Sequence, residues 1–157
     1  MVAQHDKDGP GVIAPPPVIY LGCLLLGLVA DYFSPFALLS QTLQYVIGIA
    51  LIAVASLIAA LTFVAFHRAR TSPDPYKADT ALVTTGPFRY SRNPLYLAAA
   101  ILYLGVAITV DSVWMVLALV PALGLINAGV IAREELYLEA KFGDDYTGYK
   151  AAVRRWI

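Results

Sequence analysis

Leu43–Phe66 reads LQYVIGIALIAVASLIAALTFVAF, an uncharged stretch in which Gln44, Ser56 and Thr62 are the main polar interruptions. A helix that crosses a bilayer needs about 20 apolar residues, within a range of about 17–25. This stretch meets that length comfortably, and it sets the solvent in which the rest of the chain must be read.

Three further apolar runs lie outward from it. Val18–Ala30 is unbroken, and Tyr32 and Phe33 extend it past Asp31. Leu95–Val110 ends at Asp111, and Val113–Ala132 carries Asn127 as its one strongly polar member. The expectation is an all-α membrane protein with about four transmembrane helices, over 18–33, 43–66, 95–110 and 113–132. The first and third runs are short and must borrow flanking residues. Composition agrees. The 157 residues are 59% apolar and 14% charged, against about 45–50% and about 25% in soluble domains. The chain reads as one integral-membrane domain, 1–157, with a polar and Pro-rich lead-in over 1–17. That lead-in has no apolar core before its prolines and is a poor signal peptide; a flexible segment is expected.

The links carry the orientation. Asp31–Ser40 and Val110–Ser112 hold no Lys or Arg, only Asp31 and Asp111 as charges. The link from His67 to Pro94 holds Arg68, Arg70, Lys77, Arg89 and Arg92, and the tail holds Arg133, Lys141, Lys150, Arg154 and Arg155, while Lys7 precedes the first run. With both termini cytoplasmic, every Lys and Arg falls on the inner side, the positive-inside pattern; a bacterial inner membrane is the expected location. A soluble helical bundle has no reason to sort its cations by loop. The short third-to-fourth link predicts an antiparallel hairpin, which brings Asn93–Tyr96 close to Arg133–Glu135.

Over 133–157 the pattern changes. Apolar and charged residues interleave, Gly143 is a break, and Asp144 is the expected N-cap of a last helix. Tyr146, Tyr149, Val153 and Trp156 recur at helical spacing beside Lys150, Arg154 and Arg155. That predicts a C-terminal interfacial helix with aromatic and basic anchors.

The polar residues concentrate in GPFRYSRNPLYL, Gly86–Leu97. Gly86-Pro87 signals a turn. Asn93-Pro94 signals a helix start, with Asn as cap and Pro at the first helical position. First-turn N–H groups there bind a carboxylate or another anion, and Arg89 and Arg92 add charge-assisted donors. Glu134 and Glu135 can accept from a ribose or an amine. On the residues alone, two readings stand: a ligand site, or ordinary interface anchors and an ordinary cap. Zero net charge points away from nucleic acid. Cys23, the single cysteine, lies in an apolar run with no His or Cys near it for a metal and reads as a small buried hydrophobe.

LVTTGPFRYSRNPLYL, followed by a hairpin and then REELYLEAKFGDDYTGYKAAVRRWI, resembles the isoprenylcysteine carboxyl methyltransferase family, itself related to the membrane phospholipid methyltransferases. The resemblance runs from about Thr71 to the C-terminus. It implies an enzyme that uses S-adenosylmethionine, without a metal, to methylate a lipophilic acceptor at the cytoplasmic face. Carried over, Leu82 and Val83 line the cofactor pocket, Gly86 allows the tight turn, and Phe88 stands where many relatives have Tyr. Asn93, Pro94 and Tyr96 match the family's His-Pro-x-x-Tyr-like segment, and Glu134 and Glu135 its acidic pair. Asn93 stands where eukaryotic members carry His, and Ala128–Ala132 lacks the Arg those members carry before the acids.

A carboxylate acceptor needs only in-line positioning. An amine acceptor must first lose a proton, for which Glu134 or Glu135 at the membrane face is the candidate base. His67 and His5 are the only histidines, and His67 is a weaker alternative base. The competing functions are phospholipid amine N-methylation, a non-enzymatic membrane subunit that keeps the fold, and a small transporter. A decayed relative should have lost Gly86, Tyr96 or a glutamate, and this chain keeps them all. No span holds a central charge for transport. Four thin spans are also compatible with a homo-oligomer.

Overall fold

The computed structural model describes residues 10–72 and 80–157, and these form helices and connections with no strand among them. The helices are α1 (Pro16–Phe33), α2 (Gln41–Ala69), α3 (Pro94–Thr109), α4 (Val113–Ile126), α5 (Ala132–Phe142) and α6 (Asp144–Ala152). A short 3-10 turn covers Gly86–Arg89, and a π-helical segment, Asn127–Ile131, joins α4 to α5 without a break. Three helical stretches are long and apolar enough to cross a membrane: Pro16–Phe33, Gln41–Ala69 and Val113–Phe142. The expected runs are thus helices; the third keeps its length, shifted by one residue to Pro94–Thr109, while the second gains a turn at its His67 end and the fourth runs on to Phe142. Pro94–Thr109 is apolar but shorter. Its 16 residues rise about 24 Å, short of the roughly 30 Å hydrocarbon core.

α3 packs chiefly along α2, and α4 along α1. The α2–α3 seam is close because glycines meet there. A Cβ on Gly105 would lie 3.0 Å from the Gly48 carbonyl oxygen. The α1–α4 seam, with α3, holds the main apolar core, including Ile19, Cys23, Tyr103, Met115, Ala122 and Ile126. Cys23 is buried and free, as its surroundings predict.

The two acidic links meet at one end of the bundle. The Asp111 carboxylate accepts from the Leu38 and Leu39 amides at 3.1–3.3 Å, and Trp114 Nε1 donates to the Ser34 carbonyl at 2.6 Å. The other end gathers the basic link, the tail and the start of the described chain.

Three expectations change at that end. The lead-in is not free over its last residues: Val12 is buried, the Ile13 amide donates to the Gly129 carbonyl at 3.2 Å, and Arg133 Nη1 donates to the Gly11 carbonyl at 2.7 Å. Residues 1–9, with His5 and Lys7, and 73–79, with Lys77, lie outside the described residues. The α6 cap is Gly143, with Asp144 already inside the helix. The face carrying Tyr146 and Tyr149 turns inward: Tyr146 is 2% exposed. α6 ends at Ala152, so Val153 and Trp156 belong to a C-terminal strap beyond it, and Trp156 packs on the main core.

Candidate functional site

The π-helical turn organises the polar end. A π turn opens the i→i−4 ladder, and here the Ala132 amide reaches back to the Asn127 carbonyl. Gly129 offers its carbonyl to Ile13, and its missing side chain makes room for it: a Cβ there would lie 2.2 Å from Ile13 Cδ1. The turn also sets the direction in which α5 presents Glu134 and Glu135.

The link supplies the opposite wall. Gly86 takes φ +64, a left-handed conformation that costs glycine little, and Pro87 continues into the 3-10 turn. Phe88 is thereby buried edge-on against Phe66, with ring centroids 5.2 Å apart, and its carbonyl accepts from Tyr149 Oη at 2.7 Å. Asn93 occupies the α3 cap position and Pro94 the first helical position, but the Asn93 side chain makes no cap hydrogen bond. Its Nδ2 donates instead to the Arg155 carbonyl at 2.9 Å. The tail competes successfully for the amide that sequence assigns to the helix.

Link and acidic pair meet as the hairpin requires. Tyr96 Oη donates to Glu134 Oε1 at 2.5 Å. Glu135 is 5% exposed and is held by cations. Arg155 grips it with Nε at 3.0 Å and Nη2 at 2.5 Å. Arg92 Nη2 lies 3.2 Å away, and Lys150 Nζ 3.9 Å. Lys150 is itself paired with Glu139. The hydrogen bond to Glu135 raises the Arg155 pKa above its ordinary value, against the opposing effect of burial. Burial, then the Glu135 charge, pushes Tyr146 up to about 12. Burial likewise pushes Tyr149 well up, and its hydroxyl stays the donor to the Phe88 carbonyl.

These groups enclose a cavity of about 110 Å³, lined among others by Leu82, Val83, Phe88, Arg92, Asn93, Pro94, Tyr96, Glu134 and Glu135. The expected site residues converge there except Gly86, which shapes the turn without lining the cavity, and Arg89, which is exposed and lies outside its lining. His67 is exposed at the end of α2 and does not line it either. The cavity has two chemistries. Leu82, Val83, Phe88 and Leu138 give a flat apolar side. The Arg92 side chain is only 9% exposed, and its Nε and Nη1 are buried without a hydrogen-bond partner. Unpartnered buried N–H groups favour an anion. S-adenosylmethionine has a carboxylate for them, an adenine for the apolar side and ribose hydroxyls for Glu134, so the residues present fit it. At about 110 Å³ the space has room for only one end of such a ligand.

A second space adjoins the first. A groove of about 590 Å³ runs between α1, α2 and α3, along residues such as Tyr20, Leu24, Ala55, Ala59, Ala99 and Leu102. Its lining is almost wholly apolar and contains no Lys or Arg among the described residues. Leu95 and Tyr96 line both spaces, and Tyr20 Oη secures that turn by donating to the Tyr96 carbonyl at 3.1 Å.

Sequence reasoning missed Arg155, Asn127 and Ser91. Arg155 looked like a basic anchor beside an aromatic face. Asn127 was the one polar residue in the fourth apolar run, which was the available signal. Arg155 Nη1 donates to Asn127 Oδ1 at 3.0 Å, and Ser91 Oγ donates to the Arg155 carbonyl at 3.3 Å.

The family model described as PEMT, phospholipid methyltransferase, matches residues 43–145, well over half of the chain. A stretch of 33 residues, 21% of the chain, is 64% identical to a protein of Haemophilus influenzae described as "Uncharacterized protein". The match covers 52% of that curated relative, so the chain spans about half its length. No solved structure matches the chain.

Proposed function

Because the chain belongs to the phospholipid methyltransferase family, we propose that it transfers a methyl group from S-adenosylmethionine to a lipophilic acceptor. The observation that carries this reading is the single turn of α3, Leu95–Tyr96, that lines both the polar cavity and the apolar groove. A water-soluble donor on one side and a lipid-dissolved nucleophile on the other would meet across this one turn. With the cations sorted as they are, this face is the cytoplasmic one and both termini lie there.

When bound, the cofactor supplies an electrophilic methyl on a sulfonium. That methyl would be open to the lone pair of an acceptor in line with it, with a neutral thioether as the leaving group. The chain's own contribution is placement and charge. Arg92, with Nε and Nη1 buried and unpartnered, would hold the carboxylate end. Leu82, Val83 and Phe88 hold the base. Asn93 and Pro94 set where α3 begins. Tyr96 fixes Glu134 beside the acceptor. Glu135, held among Arg92, Arg155 and Lys150, acts by keeping Arg92 in place.

The acceptor's nucleophile is best read as an amine. A carboxylate on Glu134, held by Tyr96 at the junction, attracts an ammonium and takes its proton before attack. An isoprenylcysteine-type carboxylate meets the same group as a like charge, and among the described residues the groove's lining offers no cation to offset it. The test is methyl transfer from radiolabelled S-adenosylmethionine to two acceptor sets presented in bilayers, amine phospholipids and prenylcysteine. Label in the amine lipid supports the reading. Label in the prenylcysteine alone overturns the choice of nucleophile, and label in neither acceptor overturns the assignment to these two acceptor classes.

A further inference from the structure

Resting on the cofactor reading above, we infer that Arg155 is a positioning residue for the cofactor cavity and that the strap Val153–Ile157 serves to deliver it. The strap touches each wall of the site. The Arg154 carbonyl accepts from the Arg92 amide at 3.0 Å. The Arg155 carbonyl accepts from Ser91 Oγ and Asn93 Nδ2. The Arg155 guanidinium takes both oxygens of Glu135 on α5 and reaches Asn127 in the π turn. Trp156, packed on the main core, fixes the strap's course.

Arg92 is therefore set at both ends by the strap: its backbone by Arg154, its guanidinium through Glu135. Glu135 has two strong partners. With Arg155 in place, Arg92 gives Glu135 only Nη2 and keeps Nε and Nη1 for the cavity. Without Arg155, Arg92 is the one described cation left within hydrogen-bond distance of the buried carboxylate, Lys150 lying 3.9 Å away and engaged with Glu139, and a bidentate grip by Arg92 becomes the favoured arrangement. That grip takes N–H groups away from the ligand. Lysine cannot replace Arg155, because its single ammonium cannot hold two carboxylate oxygens and an amide oxygen in one plane.

The test uses the full chain in nanodiscs. Hydrogen exchange at the Arg92 amide and S-adenosylmethionine affinity are measured for wild type, Arg155→Ala and Arg155→Lys. Both variants are expected to speed exchange at Arg92 and to raise the cofactor Kd by about ten-fold, the scale of one charge-assisted hydrogen bond. The acceptor KM at saturating cofactor is expected to stay within about two-fold, since the groove lies apart from the strap. Millimolar methylguanidinium is expected to restore Arg155→Ala but not Arg92→Ala. Wild-type affinity in Arg155→Ala overturns the inference. So does a parallel loss of both substrates that methylguanidinium does not rescue. If Arg155→Ala fails to fold, Asn127→Ala removes one contact and should raise Kd about three-fold; an unchanged Kd overturns the inference. If wild type binds no S-adenosylmethionine, the proposed cofactor is wrong. The positioning role is then decided by exchange at Arg92, which supports it if faster in Arg155→Ala and refutes it if unchanged.

Discussion

Replacing Glu135 by Gln removes the negative charge at the centre of the site while keeping the side chain's size. In the native protein this carboxylate is buried and shared by Arg155 and Arg92. Neutralising it leaves two guanidiniums facing each other across an amide. Breaking a buried ion pair from one side costs about 3–5 kcal/mol. Two features reduce that figure here. The Arg155 side chain is 33% exposed and can recruit water, and Gln retains one acceptor oxygen. The expected loss is about 2–3 kcal/mol, which for a chain of this size lowers Tm by roughly 5–10 °C. The matched control is Glu139→Gln. It breaks the Lys150 pair, whose side chains are 36% and 31% exposed, and such pairs contribute about 1 kcal/mol or less. Both variants are melted in one detergent, with intrinsic fluorescence and a second, size-based readout. If Glu135→Gln melts within about 2 °C of wild type, or no lower than Glu139→Gln, the buried cluster does not hold this end of the protein together.

Ala59→Phe places a ring in the apolar groove and is expected to lower kcat/KM for the acceptor by about ten-fold, with cofactor affinity retained in calorimetry. Gly48→Ala puts a Cβ 2.1 Å from Thr109 Oγ1 and 2.9 Å from the Gly105 carbonyl oxygen. It should cost about 1–3 kcal/mol of stability, while Gly124→Ala, with open space around it, should be neutral or stabilising in the same melts. Tyr146 keeps its proton to about 12 when folded, against an ordinary value of 10.0. Its raised folded pKa contributes stability that is complete below pH 10 and is lost as pH rises from there towards 12. Tyr146→Phe should therefore melt with a flatter pH dependence than wild type across that window.

The apolar runs made the helices legible because a bilayer leaves the backbone few alternatives. The third-to-fourth hairpin made the meeting of Tyr96 with Glu134 legible too, since a short link fixes which ends are neighbours. The helix ends were less readable. Nothing in apolar composition marks where α4 widens at Asn127, or that the fourth run continues to Phe142. The tail was read by its periodicity, and Tyr146, Tyr149, Val153 and Trp156 do share a spacing. The helix stops at Ala152, however, so the spacing has no meaning for its last two members. Whether an aromatic and basic face meets lipid or protein depends on what lies opposite. Here that is Phe88 and Glu135, one more than fifty residues upstream along the chain. The same limit hid Arg155, whose partners come from a loop, a π turn and a helix.

The most direct measurement is calorimetric titration of S-adenosylmethionine into the nanodisc-embedded protein, with Arg92→Ala and Glu134→Ala alongside. The predicted result is one-site binding by wild type, weakened by about ten-fold or more in each variant, with both variants folded. Folded wild type that takes up no cofactor, or variants that bind as wild type does, would contradict the account of a methyl-donor site at this end of the bundle.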